Sequence, residues 1–190
     1  MFIKNYIEKS IEAKQRILES SEIQNALKSV SNEIVKAYKK GRKVLIAGNG
    51  GSAADAQHIA CELVSKFYFE RQALDAVALT TNSSILTAIS NDFDFEQVFS
   101  RQIQASGSKG DIFIAISTSG NSKNIIKAVD TARKSGLKVV GFTGALPGAI
   151  DEFCDYILKV PSDETPIIQE SHIMLAHILC AIIEADFIKK

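Results

Sequence analysis

The stretch that most constrains the chain is Val44 to Glu62, which reads VLIAGNGGSAADAQHIACE. Val44-Leu45-Ile46-Ala47 is a short apolar run ending in a glycine cluster, which predicts a buried strand. Gly48-Asn49-Gly50-Gly51 can fold tightly around a ligand, because glycine tolerates positive φ and close backbone approach. Ser52 is then placed to cap a helix through Ala53 to Gln57. Strand, glycine turn and helix N-terminus together present backbone N–H groups to an anion or to sugar hydroxyls. His58 and Glu62 follow on that helix, four residues apart and therefore on one face. An imidazole and a carboxylate at this spacing can share a metal ion or work as an acid–base pair; they can equally form an ordinary salt bridge one turn apart.

The same plan recurs later. Asp111 to Ile116 is the clearest buried strand, and it runs into Ser117-Thr118-Ser119-Gly120-Asn121-Ser122 and a helix from Lys123 to Lys134. Four hydroxyls exceed what a helix cap needs, and with N–H groups at a helix start they suit a phosphate dianion. Further strands are expected at 76–79, 137–142 and 156–160. Alternating strands and helices predict an α/β fold, a three-layer sandwich around a five-stranded parallel sheet of doubly wound, flavodoxin-like order. Loops 48–52 and 117–122 both follow strands, so both fall on the carboxyl edge where open α/β sheets bind ligands.

A single domain is expected over 1–190, opened by a helical pair within 1–40. Residues 3–18 place Ile3, Ile7, Ile11 and Leu18 on one stripe. Ser21 with Gln24 resembles a capping box for a second helix whose Ile23, Leu27, Val30, Ile34 and Ala37 form a packing seam, ended by Gly41. The pair can cover its own sheet or a neighbouring subunit. Ser83 or Ser84 is expected to cap a helix over 85–89. Asn91 and Asp92 then lie in a loop anchored by Phe93 and Phe95 in apolar surroundings, and a helix follows over 97–105. The last helix, 167–187, carries Gln169, Glu170, His172 and His177. It is apolar around most of its circumference, which predicts burial between subunits.

With 190 residues, 46% hydrophobic and 23% charged, the chain can build one proper core. Its formal net charge of zero and lack of any basic run argue against a nucleic-acid surface. Cys61, Cys154 and Cys180 match no metal-knuckle or redox spacing, and each is read as a buried small apolar residue of a reducing compartment. Met1-Phe2-Ile3-Lys4 does not start a signal peptide, and the most apolar stretch, Ile173 to Ile183, is too short to span a bilayer. A cytoplasmic protein with no membrane partner is expected.

Neither loop is a Walker motif, and GNGGSA lacks the third glycine of a dinucleotide fingerprint. A sugar phosphate suits the residues better. GNGGS with His58 and Glu62, Asn91-Asp92-Phe93, the Ser117–Ser122 loop, and Gln169-Glu170 with His172 and His177 resemble the phosphoheptose isomerases of the sugar isomerase (SIS) fold group. The resemblance covers nearly the whole chain. It implies interconversion of sedoheptulose 7-phosphate and D-glycero-D-manno-heptose 7-phosphate by a homotetramer, the first step toward ADP- or GDP-heptose for lipopolysaccharide or capsule. It also implies one zinc ion per subunit, held by His58, Glu62, Gln169 and His177. The substrate contacts it implies are Asn49, Gly50, Gly51, Glu62, Asn91, Asp92, Ser117, Thr118, Ser119, Ser122 and Gln169. Two positions depart from the family, which often has arginine where this chain has Ile167 and Lys66.

Moving a proton between C1 and C2 through an enediol needs a base for the carbon proton and a group for the oxygen protons. Glu62 is assigned as the base and His177 as its partner. A zinc-bound Glu62 is the weaker base, so ligation and proton abstraction compete for one carboxylate. The alternative is a non-catalytic SIS regulator, such as a type that binds the replication initiator DnaA. That type lacks the glutamate and second histidine at the places of Glu62 and His177.

Overall fold

The computed structural model describes residues 2–188. The chain opens with α1 (Phe2–Glu19) and α2 (Ser21–Lys39), then β1 (Val44–Gly48), α3 (Gly51–Val64) and β2 (Ala76–Ala78). Next come α4 (Ser83–Asp92), a 3₁₀ turn at Phe95–Gln97, α5 (Ser100–Ser106), β3 (Ile112–Ile116) and α6 (Lys123–Lys134). It ends with β4 (Lys138–Thr143), a 3₁₀ turn at Asp151–Phe153, β5 (Tyr156–Lys159) and α7 (Thr165–Ala185).

All five strands are parallel, in the order β2-β1-β3-β4-β5, which is the expected doubly wound sheet. Every residue of β1 and β3 is buried, so both read as unbroken apolar runs. Side chains still alternate between faces. Val44, Ile46, Ile112, Ile114 and Val140 pack with α2, α3 and α7, whereas Leu45, Ala47, Phe113 and Val139 pack with α5 and α6. Three layers result.

The helix starts differ from the expected ones by a residue or two. α2 is capped by Ser20, whose hydroxyl accepts from the Ile23 N–H at 3.2 Å, and not by Ser21. α4 is capped by Asn82, through Ile85 N–H at 3.0 Å, and not by a serine. α3 has no side-chain cap: Gly50, at φ +55°, turns the chain straight into the helix, and Ser52 is buried inside it. The helix expected over 97–105 starts as the 3₁₀ turn and becomes regular only at Ser100. Phe93 and Phe95 are exposed, not sunk in apolar surroundings, and Phe93 is covered on one side by the Arg101 guanidinium at 3.9 Å. Cys180 is buried and Cys154 partly so, but Cys61 is exposed.

The α2 seam packs as its spacing requires, with Leu27, Val30, Ile34 and Ala37 buried against α7 and β5. The α1 stripe does not: Ile3, Ile7, Ile11 and Leu18 are all exposed, and α1 buries Ala13 and Ile17 instead. Ion pairs Lys9–Glu164 and Lys14–Glu170, each 2.7 Å, tie α1 to the start of α7. α7 has 21 residues and is long and apolar enough to cross a membrane by length and composition, which corrects the shorter estimate from its apolar centre. It is a core helix here. One side buries Ile168, Leu175, Leu179 and Ile183 against α2 and α3, and the other leaves Ile178 exposed.

His172 pins α7 to the sheet. Its Nε2 lies 3.0 Å from the Thr143 carbonyl at the end of β4, and a carbonyl only accepts, so Nε2 carries the proton. Nδ1 is buried with no partner among the described residues, and the ring stands edge-on to Phe142. Burial pushes the imidazole down from 6.5 to about 4, although its bond to Thr143 works the other way. Between those values the unfolded chain binds a proton that the folded chain refuses. Stability is therefore complete above pH 6.5 and falls toward pH 4, by up to about 3 kcal/mol. Urea unfolding of wild type and His172→Gln should show the steeper acid loss in wild type; equal slopes would contradict a neutral buried histidine.

Candidate active site

β1 delivers Gly48 and Asn49 to the carboxyl edge of the sheet, and α3 starts within two residues. So sharp an entry needs glycine twice over. Gly50 supplies the left-handed φ, and a Cβ on Gly48 would lie 2.5 Å from the Ser52 carbonyl oxygen; one on Gly51 would meet the end of the Gln169 side chain, 2.8 Å from Nε2. Gln169, in the first turns of α7, thus lies directly over the glycine loop. Farther along the same pair of helices, His58 and Glu62 meet His177. His58 Nε2 is 3.1 Å from Glu62 Oε1 and 3.4 Å from His177 Nε2. The two imidazoles are edge to face, with centroids 5.0 Å apart, and Phe67 flanks His177 at 5.6 Å.

The potential ligand atoms of His58, Glu62 and His177 all lie within 4.8 Å of one another. Ligands about 2.0–2.1 Å from a tetrahedral ion stand about 3.3 Å apart, which the 3.1 and 3.4 Å separations from His58 match. The donors, two imidazoles and a carboxylate, are of the kind zinc accepts. Gln169 is two helical turns from His177 on α7 and lies beside Gly51. One turn before His58, Asp55 has Oδ2 buried without a partner among the described residues; burial raises its carboxyl, with His58 opposing.

β3 delivers the hydroxyl loop to the same edge. Ser117 donates to Ser122 Oγ at 3.2 Å, and Ser119 Oγ accepts from the Asn121 N–H at 3.1 Å. Asn121 braces the loop, donating to the Ser119 carbonyl and accepting from Ala149 N–H. Gly120 has φ +66° and packs so close to Gly148 that a Cβ would sit 2.8 Å from its Cα. Ser122 is the N-cap of α6 yet makes no side-chain cap bond, so its hydroxyl is not consumed by the helix. A cleft of about 180 Å³ lies beside Thr118, Ser119 and Asn121, lined also by Gly144, Pro147 and Ser162.

The two loops are joined. Asn49 Nδ2 donates to Asn124 Oδ1 at 2.9 Å, and Asn124 Nδ2 returns a bond to Asn49 Oδ1 at 2.8 Å. This reciprocal amide pair spans β1 and β3 and locks the glycine loop to the first turn of α6. Asn124 was not singled out from the sequence, although a buried asparagine in a helix's first turn is a signal of such a role. Asn91 and Asp92 close α4 rather than standing in a loop, and Asn91 Nδ2 donates to Asp92 Oδ1 at 2.9 Å.

The SIS domain profile matches residues 5–144. The phosphoheptose isomerase of Aneurinibacillus thermoaerophilus is 55% identical over 183 residues, covering 96% of this chain and 92% of its own. Phosphoheptose isomerase 2 of Campylobacter jejuni is 53% identical over 189 residues, covering 100% of this chain and 94% of its own. The solved phosphoheptose isomerase from Francisella tularensis superposes with a TM-score of 0.92 at 38% identity, each chain 96% covered. At that identity and coverage, along with the shared fold, the chain belongs to the phosphoheptose isomerase family of SIS-domain proteins.

Proposed function

We propose that the protein is an aldose–ketose isomerase converting D-sedoheptulose 7-phosphate to D-glycero-D-manno-heptose 7-phosphate. The observation that carries this is the meeting of His58, Glu62 and His177 along α3 and α7, two helices that start at the carboxyl edge bearing the hydroxyl loop. One chain thereby offers a phosphate cradle and an acid–base cluster, and relatives about half identical to it are named for this activity.

In the proposed mechanism, Ser117, Thr118, Ser119 and Ser122 hold the 7-phosphate at the start of α6. Asn49, Gly50 and Gly51 meet the sugar hydroxyls, and Asn91 and Asp92 are offered as further substrate contacts. Glu62 turns Oε1 to His58, which leaves Oε2 to take the proton from C1. The electrons of that C–H bond become the C1=C2 bond of the enediol, as His177 gives a proton to the C2 oxygen. Returning the carbon proton to C2, with loss of the O1 proton to His177, yields the aldehyde. His58, Glu62, Gln169 and His177 would hold zinc, which when bound polarises the substrate oxygens and favours the enediolate.

The exposed stripe of α1 and the exposed Ile178 of α7 support a homo-oligomer, which we take to be a tetramer. We place the protein in the cytoplasm, feeding heptose to lipopolysaccharide or capsule. Lys66 keeps the charge of the family's arginine but not its two-pronged geometry, so it bears on substrate preference.

Incubating the purified protein with sedoheptulose 7-phosphate should produce an aldose phosphate; a protein that binds the sugar without converting it would favour the regulator. Three variants or treatments test the parts. Ser122→Ala should raise KM at nearly constant kcat, by the equivalent of roughly 1.5–3 kcal/mol, and unchanged kinetics would place the phosphate elsewhere. Glu62→Gln should lower kcat by roughly 10²–10⁴ while sparing substrate binding; normal turnover would move the base to another residue. Purified protein should carry about one metal per subunit and lose activity to a strong chelator. Full activity without metal would reduce the cluster to an acid–base site.

A further inference from the structure

Beyond the catalytic cluster lies a buried ion pair. Arg71 and Glu184 each have side chains only 1% exposed, and Arg71 Nε stands 3.4 Å from Glu184 Oε1. Neither is spent on the other alone. Arg71 Nη2 donates to the Glu62 carbonyl at 2.8 Å, and Nη1 donates to the carbonyls of Ser65 and Gln72 at 3.2 and 2.9 Å. Glu184 accepts the N–H groups of Phe67, Tyr68 and Phe69 at 2.8, 2.6 and 3.0 Å.

The placement has a consequence for the site. A helix leaves its last carbonyls without partners, and Glu62 sits in the last turn of α3. Ser65 N–H takes the Cys61 carbonyl, Leu74 N–H takes that of Leu63, and Arg71 takes that of Glu62 itself. The other end of the pair is Glu184, two turns beyond His177 on α7. The segment between, 67–69, also brings the Phe67 ring against His177. Burial works to raise the Glu184 carboxyl, but its three N–H donors and Arg71 outweigh that and hold it below the usual range.

We propose that Arg71 and Glu184 are positioning residues: a clamp that fixes the Glu62 end of α3 against α7, and so sets Glu62 relative to His177. The pair acts through backbone placement and touches neither substrate nor reacting atoms. A clamp of this kind differs from a pair that merely stabilises the fold, because its loss should appear in kcat with KM unmoved. The inference rests on the isomerase reading, so wild-type turnover is measured first; a wild type without turnover would overturn both.

Arg71→Lys keeps the charge but cannot reach three carbonyls with a planar fork. We expect a folded protein with kcat about 10- to 100-fold lower and KM within about threefold of wild type, as for a misplaced catalytic group. Added to Glu62→Gln, Arg71→Lys should lower kcat by no more than about threefold further, since the group it places is already gone. Wild-type kcat in Arg71→Lys, or losses that multiply in the double variant, would overturn the proposal. If Arg71→Lys does not fold, Glu184→Gln keeps an acceptor for the three N–H groups while removing the charge, and is held to the same pattern. Failure of both to fold would assign the pair to stability alone and also overturn it.

Discussion

Where β1 pairs with β3 the strand order reverses, because the chain leaves β1 toward one edge of the sheet and leaves β3 toward the other. Right-handed crossovers in opposite directions put α3 and α6 on opposite faces. A crevice therefore opens between their N-termini, at the carboxyl ends of two neighbouring strands. The glycine loop and the hydroxyl loop arrive there from separate parts of the chain, and the Asn49–Asn124 amide pair joins them. The site follows from this reversal, since without it the two loops would not share a crevice.

The second half of the site depends on α3 and α7 running side by side. Contacts along them occur at three levels: Gln169 over Gly51, His177 against His58, and Glu184 under the 67–69 segment. At the first level the Gln169 amide fills the space beside Gly51. Imidazole meets imidazole at the second, where the chemistry is assigned. At the third, a buried ion pair closes the seam, with the Arg71 Nη atoms and the Glu184 carboxylate bonded to backbone. A buried charge pair is weak support for stability in general. Its retention here, next to the assigned base, is easier to understand as geometry than as net stabilisation.

The sheet and the site edge were legible because apolar strand runs, glycine clusters and the His58–Glu62 spacing are local signals. The helix seam of α2 was legible for the same reason, through its steps of four and three. What the sequence concealed is nonlocal. Arg71 and Glu184 look like surface charges until the fold brings them together, and nothing in their neighbours marks the pairing. Helix starts slipped by a residue where two candidates stood side by side: Ser20 beside Ser21, and Asn82 beside Ser83. Ser52 misled because Gly50 made a side-chain cap unnecessary. Phe93 and Phe95 misled because their size suggested burial, whereas Phe93 is shielded by Arg101 and otherwise faces outward. The His177 partnership with His58 could be named only through family likeness, as the two lie on different helices.

The central claim is that Glu62 and its neighbours move a proton between adjacent carbons of a bound sugar phosphate. Solvent exchange at carbon tests it most directly. Sedoheptulose 7-phosphate incubated with wild-type protein in deuterium oxide should gain deuterium at C1 of recovered ketose and at C2 of the aldose, as a shared enediol requires. A protein that binds the heptose phosphate, by calorimetry, yet leaves both carbons unlabelled and forms no aldose would contradict the account.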